Sequence, residues 1–469
     1  MPTGRMPILR DDQSGADPLS PSEMKAAVAR AIEGNQDDII GVAQHICSNP
    51  EVGYTEVKTA NFVKEKLEGL GIDVETGLAI TGMKGHVTGG GGPGPSVAVI
   101  GELDSLRVFD HPLADPETGA AHACGHHCQV GSMYGALTGL IRSGVLEHLW
   151  GRVVAMVVPA EEFIDVQERL ELRNSGAIEF LGGKQEFMKL GLLDDVDMAM
   201  LVHTAPEGVM PNQAALAVGG TSNGHVAKLV EYTGFGAHAG AAPHMGVNAL
   251  NAAMIGLSAI HANRETFQEK DMVRVHGILT RGGEAVSAIP PQVVLEWRVR
   301  AGSPDAVVRY ADKVDRAFKA GAMAVGAKVD ITNIPGYLPM RNDPMLQELF
   351  VDNAHSVVGE DKVLIWSDGY NRGGSTDMGD VSHVIPALHP YCGGVTGTPH
   401  ANDYIVQDYH QAVINPAIVM AMTIVDLLSD EARVATKVVE NNDAPMTRDE
   451  YLEYQRERAR VISFDGAAE

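Results

Sequence analysis

The first half of the chain alternates short apolar runs with helical patterns. The runs "SVAVIG", "GRVVAMVV" and "DMAMLV" predict buried strands, and a helical pattern separates each run from the next. A helical stretch from Met24 to Cys47 follows "SPSE", in which Ser20 and Glu23 predict a capping box. Buried strands that alternate with helices predict the α/β class, with a mostly parallel sheet flanked by helices.

A different pattern occupies residues 220–336. Strand-like and helix-like segments follow one another there as β-α-β-β-α-β, the split βαβ order of a ferredoxin-like α+β domain. The chain then returns to helix and strand patterns. We therefore predict a flexible N-terminal tail over residues 1–19, a main domain formed by residues 20–219 and 337–469, and an inserted domain over residues 220–336.

The composition is that of a globular chain with an acidic surface. The 469 residues are enough for two domains, and 61 acidic against 36 basic residues give a net charge of −25. Such a charge repels nucleic acid and anionic membranes, so we expect neither as a partner. The four cysteines are too few and too scattered for a disulfide framework. With neither a signal peptide nor a membrane-length apolar run apparent, a cytoplasmic enzyme is the expectation.

Acidic and histidine side chains follow the predicted strands. Asp104 comes after the first apolar run, Glu161 and Glu162 come after the second, and His203 follows the third. In α/β sheets, ligands collect beyond the carboxyl ends of the strands. We therefore expect these side chains to share one site.

The segment "AAHACGHHCQV" adds a thiol and imidazoles to this set. Thiolate, imidazole and carboxylate groups together suit zinc, manganese or similar divalent ions. The candidate ligands are Cys124, His126, Glu162, His203 and His400. Because neighbouring side chains on an extended segment point to opposite sides, one of Glu161 and Glu162 can bind metal while the other stays free as a general base.

The motifs "GELDSL", "HACGH", "VVPAEEF", "VHTAPEG", "GFGAHAGAAPHMGVNAL" and "GTPH" occur in this order along the chain. In combination they resemble the aminoacylase/carboxypeptidase metallohydrolase family, in particular its branch with aminobenzoyl-glutamate hydrolase, hippurate hydrolase and indole-acetyl-amino-acid hydrolase. Deamination of 5-nitroanthranilate is also known on this scaffold. The resemblance covers nearly the whole chain from about Glu23. It implies a zinc-peptidase-like catalytic domain with an inserted lid domain, through which the subunits form a homodimer or a higher homo-oligomer.

The resemblance also implies roles for individual residues. The five candidate ligands would bind one or two divalent ions per subunit, and Glu161 would take a proton from the water that the metal activates. Asp104 would orient a ligand at the end of the first strand. His238, in the inserted domain, would reach into the partner subunit's site and stabilise the oxyanion.

Four residues are candidates for contact with a substrate. The family often has an acid or amide after "GH", where this chain has His127, and Gln129 stands where a second histidine is common. Besides contacting substrate, His127 could add a metal ligand, alter the metal preference or merely pack. Ser287, in "SAIP", replaces an asparagine that often contacts substrate in the family. Arg300 could clamp a carboxylate or be a solvated edge charge. Asp377 lies in "GSTDMGD", a segment that the resemblance places near the pocket.

We expect a metal-dependent hydrolase that cleaves the C–N amide bond of a small N-acyl or aminobenzoyl amino acid. An alternative is an aminohydrolase that releases ammonia from an activated aromatic amine such as a nitroanthranilate, which the "HHCQ" departure motivates. A thiol enzyme using Cys124 with His126 as its base would need no metal. A non-catalytic dimeric metal-binding protein would have no need of a free base at Glu161.

Overall fold

The computed structural model describes residues 19–211 and 213–468. The tail predicted over residues 1–19 lies outside the described residues, except for Leu19. The helices are α1 (Pro21–Glu33), α2 (Gln36–Cys47), α3 (Val57–Gly69), α4 (His126–Arg142), α5 (Val166–Asn174), α6 (Gly183–Lys189), α7 (Ala249–Asn263), α8 (Pro304–Val325), α9 (Pro344–Val358), α10 (Met378–Val381), α11 (Asn415–Leu428), α12 (Arg433–Glu440) and α13 (Arg448–Arg458).

The strands are β1 (Val74–Leu78), β2 (Gly82–Thr88), β3 (Gly92–Glu102), β4 (Leu106–Arg107), β5 (Ala120–Ala121), β6 (Trp150–Val158), β7 (Met198–Met200), β8 (His203–Thr204), β9 (Leu216–Thr221), β10 (Gly224–Thr233), β11 (Arg274–Arg281), β12 (Gln292–Ala301), β13 (Lys328–Pro335), β14 (Val363–Asn371), β15 (Ala387–Leu388), β16 (Tyr391–Cys392), β17 (Val395–Thr396), β18 (Ile405–Val406) and β19 (Arg460–Asp465).

The central sheet has the strand order β1-β2-β6-β3-β7-β15. Strands β6, β3, β7 and β15 are parallel, and β2 and β1 extend the sheet antiparallel at one edge. Alternate residues of β3 face opposite sides. Val97 and Val99 pack in an apolar core with α1, α2, α4 and α11, whereas Ala98 and Ile100 pack in a second core with α6 and α13. Helices thus cover both faces, which confirms the predicted α/β class.

A second sheet, of order β11-β12-β10-β13-β19, is antiparallel throughout. Its first four strands and the helices α7 and α8, which share one apolar core with them, have the predicted β-α-β-β-α-β connectivity. The fifth strand, β19, comes from the C-terminal region that the predicted partition assigns to the main domain. It pairs with the edge strand β13 because an uncovered edge offers a row of free backbone groups. The rest of the partition stays a prediction.

One predicted helix is interrupted. The stretch from Met24 to Cys47 forms α1 and α2, separated at Gly34 and Asn35. The Asn35 side chain donates a hydrogen bond to the carbonyl four residues earlier, at 2.6 Å. Such a side-chain bond competes with the helical backbone pattern and favours a break. The predicted capping box at the start of α1 is present.

One described helical segment, His410–Leu428, is long and apolar enough to cross a membrane by length and composition alone. However, 83% of its most apolar window is buried inside the protein. It packs against α1, α4 and α9. A helix in the core of a globular protein has this degree of burial.

Candidate metal centre

The carboxyl ends of neighbouring strands bring the predicted residues together. β3 and β6 are parallel neighbours, so Asp104, just after β3, lies near the segment that follows β6. That segment carries Glu161 and Glu162 after Ala160, whose φ of 54° is in the left-handed region. His203 is the first residue of β8. The four side chains that follow predicted strands therefore meet at one edge of the sheet.

Gly125 allows the two metal-binding candidates of "CGH" to approach this edge. Its φ is 102°, and a Cβ atom there would lie 1.9 Å from Thr204 Oγ1. Only glycine fits a position that is both left-handed and this crowded. The helix α4 begins directly afterwards at His126, and on the other side Cys124 Sγ lies 3.3 Å from His203 Nε2.

Within residues 19–211 and 213–468, three groups of donor atoms are compact enough to hold a cation. Within each group, the donor atoms lie within 4.8 Å of one another. The groups are Cys124–His126–His203, Cys124–Glu162–His400 and Glu102–His126–Glu161. Two groups share Cys124 and two share His126, so the structure brings all five candidate ligands into one continuous cluster.

Buried atoms without partners support a cation in this cluster. Among the described residues, Glu102 Oε2, His126 Nε2 and Glu162 Oε1 are shielded from solvent and form no hydrogen bond. Unpaired buried polar atoms are costly, and a positive ion would satisfy all three. The sulfur, nitrogen and oxygen donors are also those that zinc and similar ions prefer. The residues therefore fit a divalent metal.

Asp104 contacts the ring of one candidate ligand and the backbone of another. His126 Nδ1 lies 3.0 Å from the Asp104 carbonyl oxygen and 3.2 Å from Oδ1, so a neutral His126 ring carries its proton on Nδ1 and leaves Nε2 free for a metal. The other carboxylate oxygen, Oδ2, accepts a hydrogen bond from the Glu162 backbone N–H at 2.8 Å. Carboxylates commonly hold metal-binding imidazoles in this way. These are the contacts that the implied orienting role requires.

The two adjacent glutamates point to different parts of the cluster. Glu162 Oε1 lies 3.4 Å from His400 Nε2, whereas Glu161 Oε2 lies 3.8 Å from His126 Nε2. Burial raises the pKa of Glu161 well above its ordinary value, and the charges of Glu102 and Glu162 raise it further. Burial acts in the same sense on Glu162, but the charges of His400 and His126 outweigh it and lower the pKa. Glu162 is thus suited to act as an ionised ligand and Glu161 as a proton acceptor.

The surroundings of Cys124 argue against a metal-free thiol enzyme. Burial raises the pKa of its thiol well above the ordinary value, and the charge of Glu162 raises it further. A nucleophilic cysteine needs a lowered thiol pKa. A cation at the cluster would instead deprotonate the thiol outright. Cys124 is therefore suited to bind metal and not to attack a substrate alone.

Sequence reasoning missed a buried lysine and its acidic partner. Lys184, in α6, donates hydrogen bonds to Glu102 and to Asp377 Oδ1, the latter at 2.5 Å, and all three side chains are buried. Glu102, the first acid of "GELDSL", was the sequence signal for this ion pair. The segment "GGKQEF" alone does not show whether Lys184 is buried or exposed to solvent. The Asp377 carboxylate points inward to Lys184, and its contact with substrate stays a prediction.

A cleft of about 810 Å³ opens beside the cluster, between the main part of the molecule and the five-stranded sheet. Its polar walls include Glu161, His203, His225, Arg298, Arg300 and Arg372. Arg300 donates a hydrogen bond to Ser375 Oγ at 2.9 Å. Arg372, which sequence reasoning missed, lies over the Tyr391 ring at 3.8 Å from its centre. Arginines in such a cleft suit a ligand with a carboxylate group.

The predicted residues His127, His238 and Ser287 also lie away from this cleft. His127 is buried, with ring centres 5.1 Å from His122 and 6.3 Å from Tyr409. This interior position agrees with packing, one of the alternatives for His127, and its contact with substrate stays a prediction. His238 and Ser287 are exposed in adjacent loops beside the five-stranded sheet and do not line the cleft of their own chain. A catalytic role for His238 therefore requires a second subunit.

Comparison with known proteins gives the site its context. The sequence matches no protein-family profile. Xaa-Arg dipeptidase of Mus musculus is 28% identical over 348 residues, which cover 71% of this chain and 70% of the relative. IAA-amino acid hydrolase ILR1-like 4 of Arabidopsis thaliana is 26% identical over 371 residues, which cover 76% of this chain and 77% of the relative.

The fold has a solved counterpart as well. The crystal structure of a dinuclear metal-binding peptidase of the M20 family from Bacillus subtilis superimposes with a TM-score of 0.61 at 19% identity, covering 84% of this chain and 99% of that chain. This likeness concerns the fold, and the hydrolase relatives add the class of reaction. The resemblance that the motifs indicated is thus confirmed: the chain is related in sequence to these hydrolases, and its fold is that of the M20 peptidase.

Proposed function

We propose that the chain is a metal-dependent amidohydrolase that cleaves the C–N amide bond of a small N-acyl or aminobenzoyl amino acid. The observation that carries the proposal is the position of Glu161, which lines the cleft 3.8 Å from His126 while Glu162 belongs to the ligand group of His400. A protein that only bound metal would have no use for a second carboxylate there. The relationship to a dipeptidase and to a hydrolase of amino acid conjugates supports a substrate of this kind.

The proposed metal ligands are the five clustered side chains, Cys124, His126, Glu162, His203 and His400. A divalent ion, when bound, would polarise the substrate carbonyl and make water more acidic. The mixed donor set suits zinc, with manganese as the alternative. The two groups that share Cys124 have the donors to hold one ion each.

Glu161 is proposed to move the proton of the reaction. Its raised pKa makes this carboxylate a stronger base than an exposed one, so it can take a proton from the attacking water and then deliver it to the leaving nitrogen. The Tyr337 hydroxyl donates a hydrogen bond to the Glu161 carbonyl oxygen and so fixes the backbone that carries the base. Asp104 holds His126, and through it the cluster, in place.

Arg300 is the proposed binding residue for the substrate carboxylate. Its partners, Ser375 Oγ and His276 Nε2, carry no negative charge, so the guanidinium remains available to an anion. It lies on β12 of the five-stranded sheet and lines the cleft from that side. A bound substrate would therefore contact the metal cluster on one side of the cleft and β12 on the other.

The proposal also includes the oligomeric state and the location. We propose that residues 220–336 serve as a lid and dimerisation domain, and that the enzyme is a homodimer in the cytoplasm. The exposure of His238 outside its own cleft supports a role in the site of a partner subunit. Ser287 lies in the adjacent loop, so it would reach substrate only in the same way.

The substitution Glu161→Gln tests the mechanism. It keeps the shape of the side chain but removes the base, so kcat should fall about 100-fold or more while the metal content stays unchanged. The rate is measured as amino acid released from a panel of N-acyl and aminobenzoyl amino acids, and the metal by mass spectrometry of the purified protein. The exposed Glu171→Gln serves as the control and should keep the wild-type rate.

Two results would change the proposal. A wild-type rate in the Glu161→Gln variant would exclude Glu161 as the base. Release of ammonia from aminobenzoates, with no amino acid released from any amide, would replace the proposed substrate by an activated aromatic amine.

A further inference from the structure

Glu102 faces the metal cluster, although none of the roles above includes it. It is the last residue of β3, and its side chain is 1% exposed. One carboxylate oxygen, Oε1, accepts a hydrogen bond from Lys184. The other, Oε2, lies 3.1 Å from His126 Nε2. The free oxygen of Glu102 is thus directed at a proposed metal ligand.

The approach of Glu102 Oε2 to His126 Nε2 is not a hydrogen bond. Neither atom has a hydrogen-bond partner in the described part of the chain, and both are shielded from solvent. The other ring nitrogen, Nδ1, faces two acceptor atoms of Asp104, so the neutral ring carries its proton there and has a lone pair at Nε2. A cation bound between Nε2 and Oε2 would give both atoms a partner.

The separation of the two atoms is that of two ligands on one metal ion. Nitrogen and oxygen ligands each lie about 2.0–2.2 Å from zinc, so neighbouring ligands are roughly 3.0–3.4 Å apart at ordinary coordination angles. Other pairs in the cluster have similar separations: 3.3 Å between Cys124 Sγ and His203 Nε2, and 3.4 Å between Glu162 Oε1 and His400 Nε2. Glu102 therefore fits the geometry of the proposed ligands.

Lys184 holds Glu102 in place. Its ammonium group donates a hydrogen bond to Glu102 Oε1, and both side chains are buried. Lys184 is itself fixed by Asp377, at 2.5 Å. A carboxylate with one oxygen held by lysine and the other unpartnered has the form of a monodentate ligand.

We propose that Glu102 is a direct ligand of the cation that binds His126 Nε2. The proposal rests on the proposed metal centre but not on the substrate. It adds an oxygen donor and a negative charge to the five-residue ligand set. Lys184 offsets part of that charge from the side facing away from the cation.

Cobalt(II) is the probe for this proposal, because its visible spectrum reports on the ligands that surround it. Full-length protein, stripped of metal by chelation, is titrated with cobalt(II) as wild type, as Glu102→Gln and as Glu186→Gln. Glu186 is a matched control, since it is a buried carboxylate that binds Lys189 within α6, the helix that also carries Lys184. We expect Glu102→Gln to shift the visible bands and to weaken cobalt binding at least tenfold. Glu186→Gln should change neither.

A cobalt spectrum that is unchanged in Glu102→Gln overturns the proposal, whether or not binding is weaker, because an acid that acts only through its charge leaves the coordination intact. Should this variant not fold, the crystal structure of metal-loaded wild-type protein decides: we expect the ion about 2.0–2.2 Å from Glu102 Oε2, and an ion clearly beyond bonding distance overturns the proposal. Wild-type protein that takes up no cobalt overturns the whole metal centre, which is a distinct result.

Discussion

Single carboxylates at the site differ in role because different atoms surround them. Glu161 and Glu162 are adjacent in sequence, yet one faces His126 and the cleft while the other faces His400. Asp104 differs from both, since protein donors already occupy its oxygens. We therefore assign Glu161 as the base, Glu162 as a metal ligand and Asp104 as the residue that positions ligands.

The substitution Asp104→Asn tests the positioning role. An amide nitrogen cannot accept a hydrogen bond, so the variant can serve either His126 or the Glu162 N–H through its side chain, but not both. We expect zinc affinity to fall about 10- to 100-fold, as when such outer partners are removed from other metal sites. Titration calorimetry with zinc measures this, with the exposed Asp37→Asn as the control. Unchanged affinity in Asp104→Asn would contradict the role.

Among the elements, α3 anchors the turn that carries the two catalytic-site glutamates. Ala160 adopts a left-handed φ of 54°, and its N–H donates a hydrogen bond to Glu56 Oε1 at 2.9 Å. Glu56 precedes the first turn of α3 and also accepts a hydrogen bond from Thr81 Oγ1 at 2.7 Å. The direction of Glu161 therefore depends on an acid that lies about a hundred residues earlier in the chain.

Glu56 makes the stability of the fold depend on pH. Burial raises its pKa from 4.5 to about 8, and the charge of Asp104 contributes. Between these two values the folded chain keeps a proton that the unfolded chain releases, so the free energy of unfolding falls as pH rises through this window. Glu56→Gln removes this titration. We expect its unfolding free energy in urea, measured with chelator present, to fall less from about pH 5 to about pH 8 than that of the wild type.

The exposed Glu33→Gln provides the comparison, because it removes a carboxylate without removing this buried one. It should follow the wild-type profile. Parallel profiles for wild type and Glu56→Gln would contradict the prediction.

Local pattern was sufficient for much of the fold and for the assembly of the site. The apolar runs predicted the parallel strands, and the side chains that follow them meet because parallel neighbours end at one edge. Non-local contacts decided the rest. The pairing of β19 with β13 and the burial of Lys184 against Glu102 join segments far apart in sequence. The motifs around His127 and Asp377 give their positions along the chain but not the directions of the side chains, and both are buried away from the residues that line the cleft.

For the whole molecule, the central question is whether one chain contains a complete site. The cleft is lined from both the main sheet side and the five-stranded sheet, but His238 stays outside it. If His238 acts in the partner subunit, each site combines the Glu161 of one chain with the His238 of the other. Catalysis would then depend on assembly.

Subunit mixing tests this dependence. Glu161→Gln and His238→Ala should each be nearly inactive as pure proteins, because one lacks the base and the other the oxyanion donor. Mixed dimers would contain one site with both groups, so an equal mixture should recover about a quarter of wild-type activity. The two variants are co-expressed with different tags and assayed together. Full activity of His238→Ala alone, or no recovery in mixed dimers, would contradict the shared site.

Anomalous diffraction from crystals of the zinc-loaded protein is the most direct test of the central claim, the metal centre. We predict an ion about 2.3 Å from Cys124 Sγ and about 2.0–2.2 Å from the nearest imidazole nitrogens and carboxylate oxygens of the cluster. Zinc bound elsewhere on the molecule, with the cluster free of anomalous signal, would contradict the account.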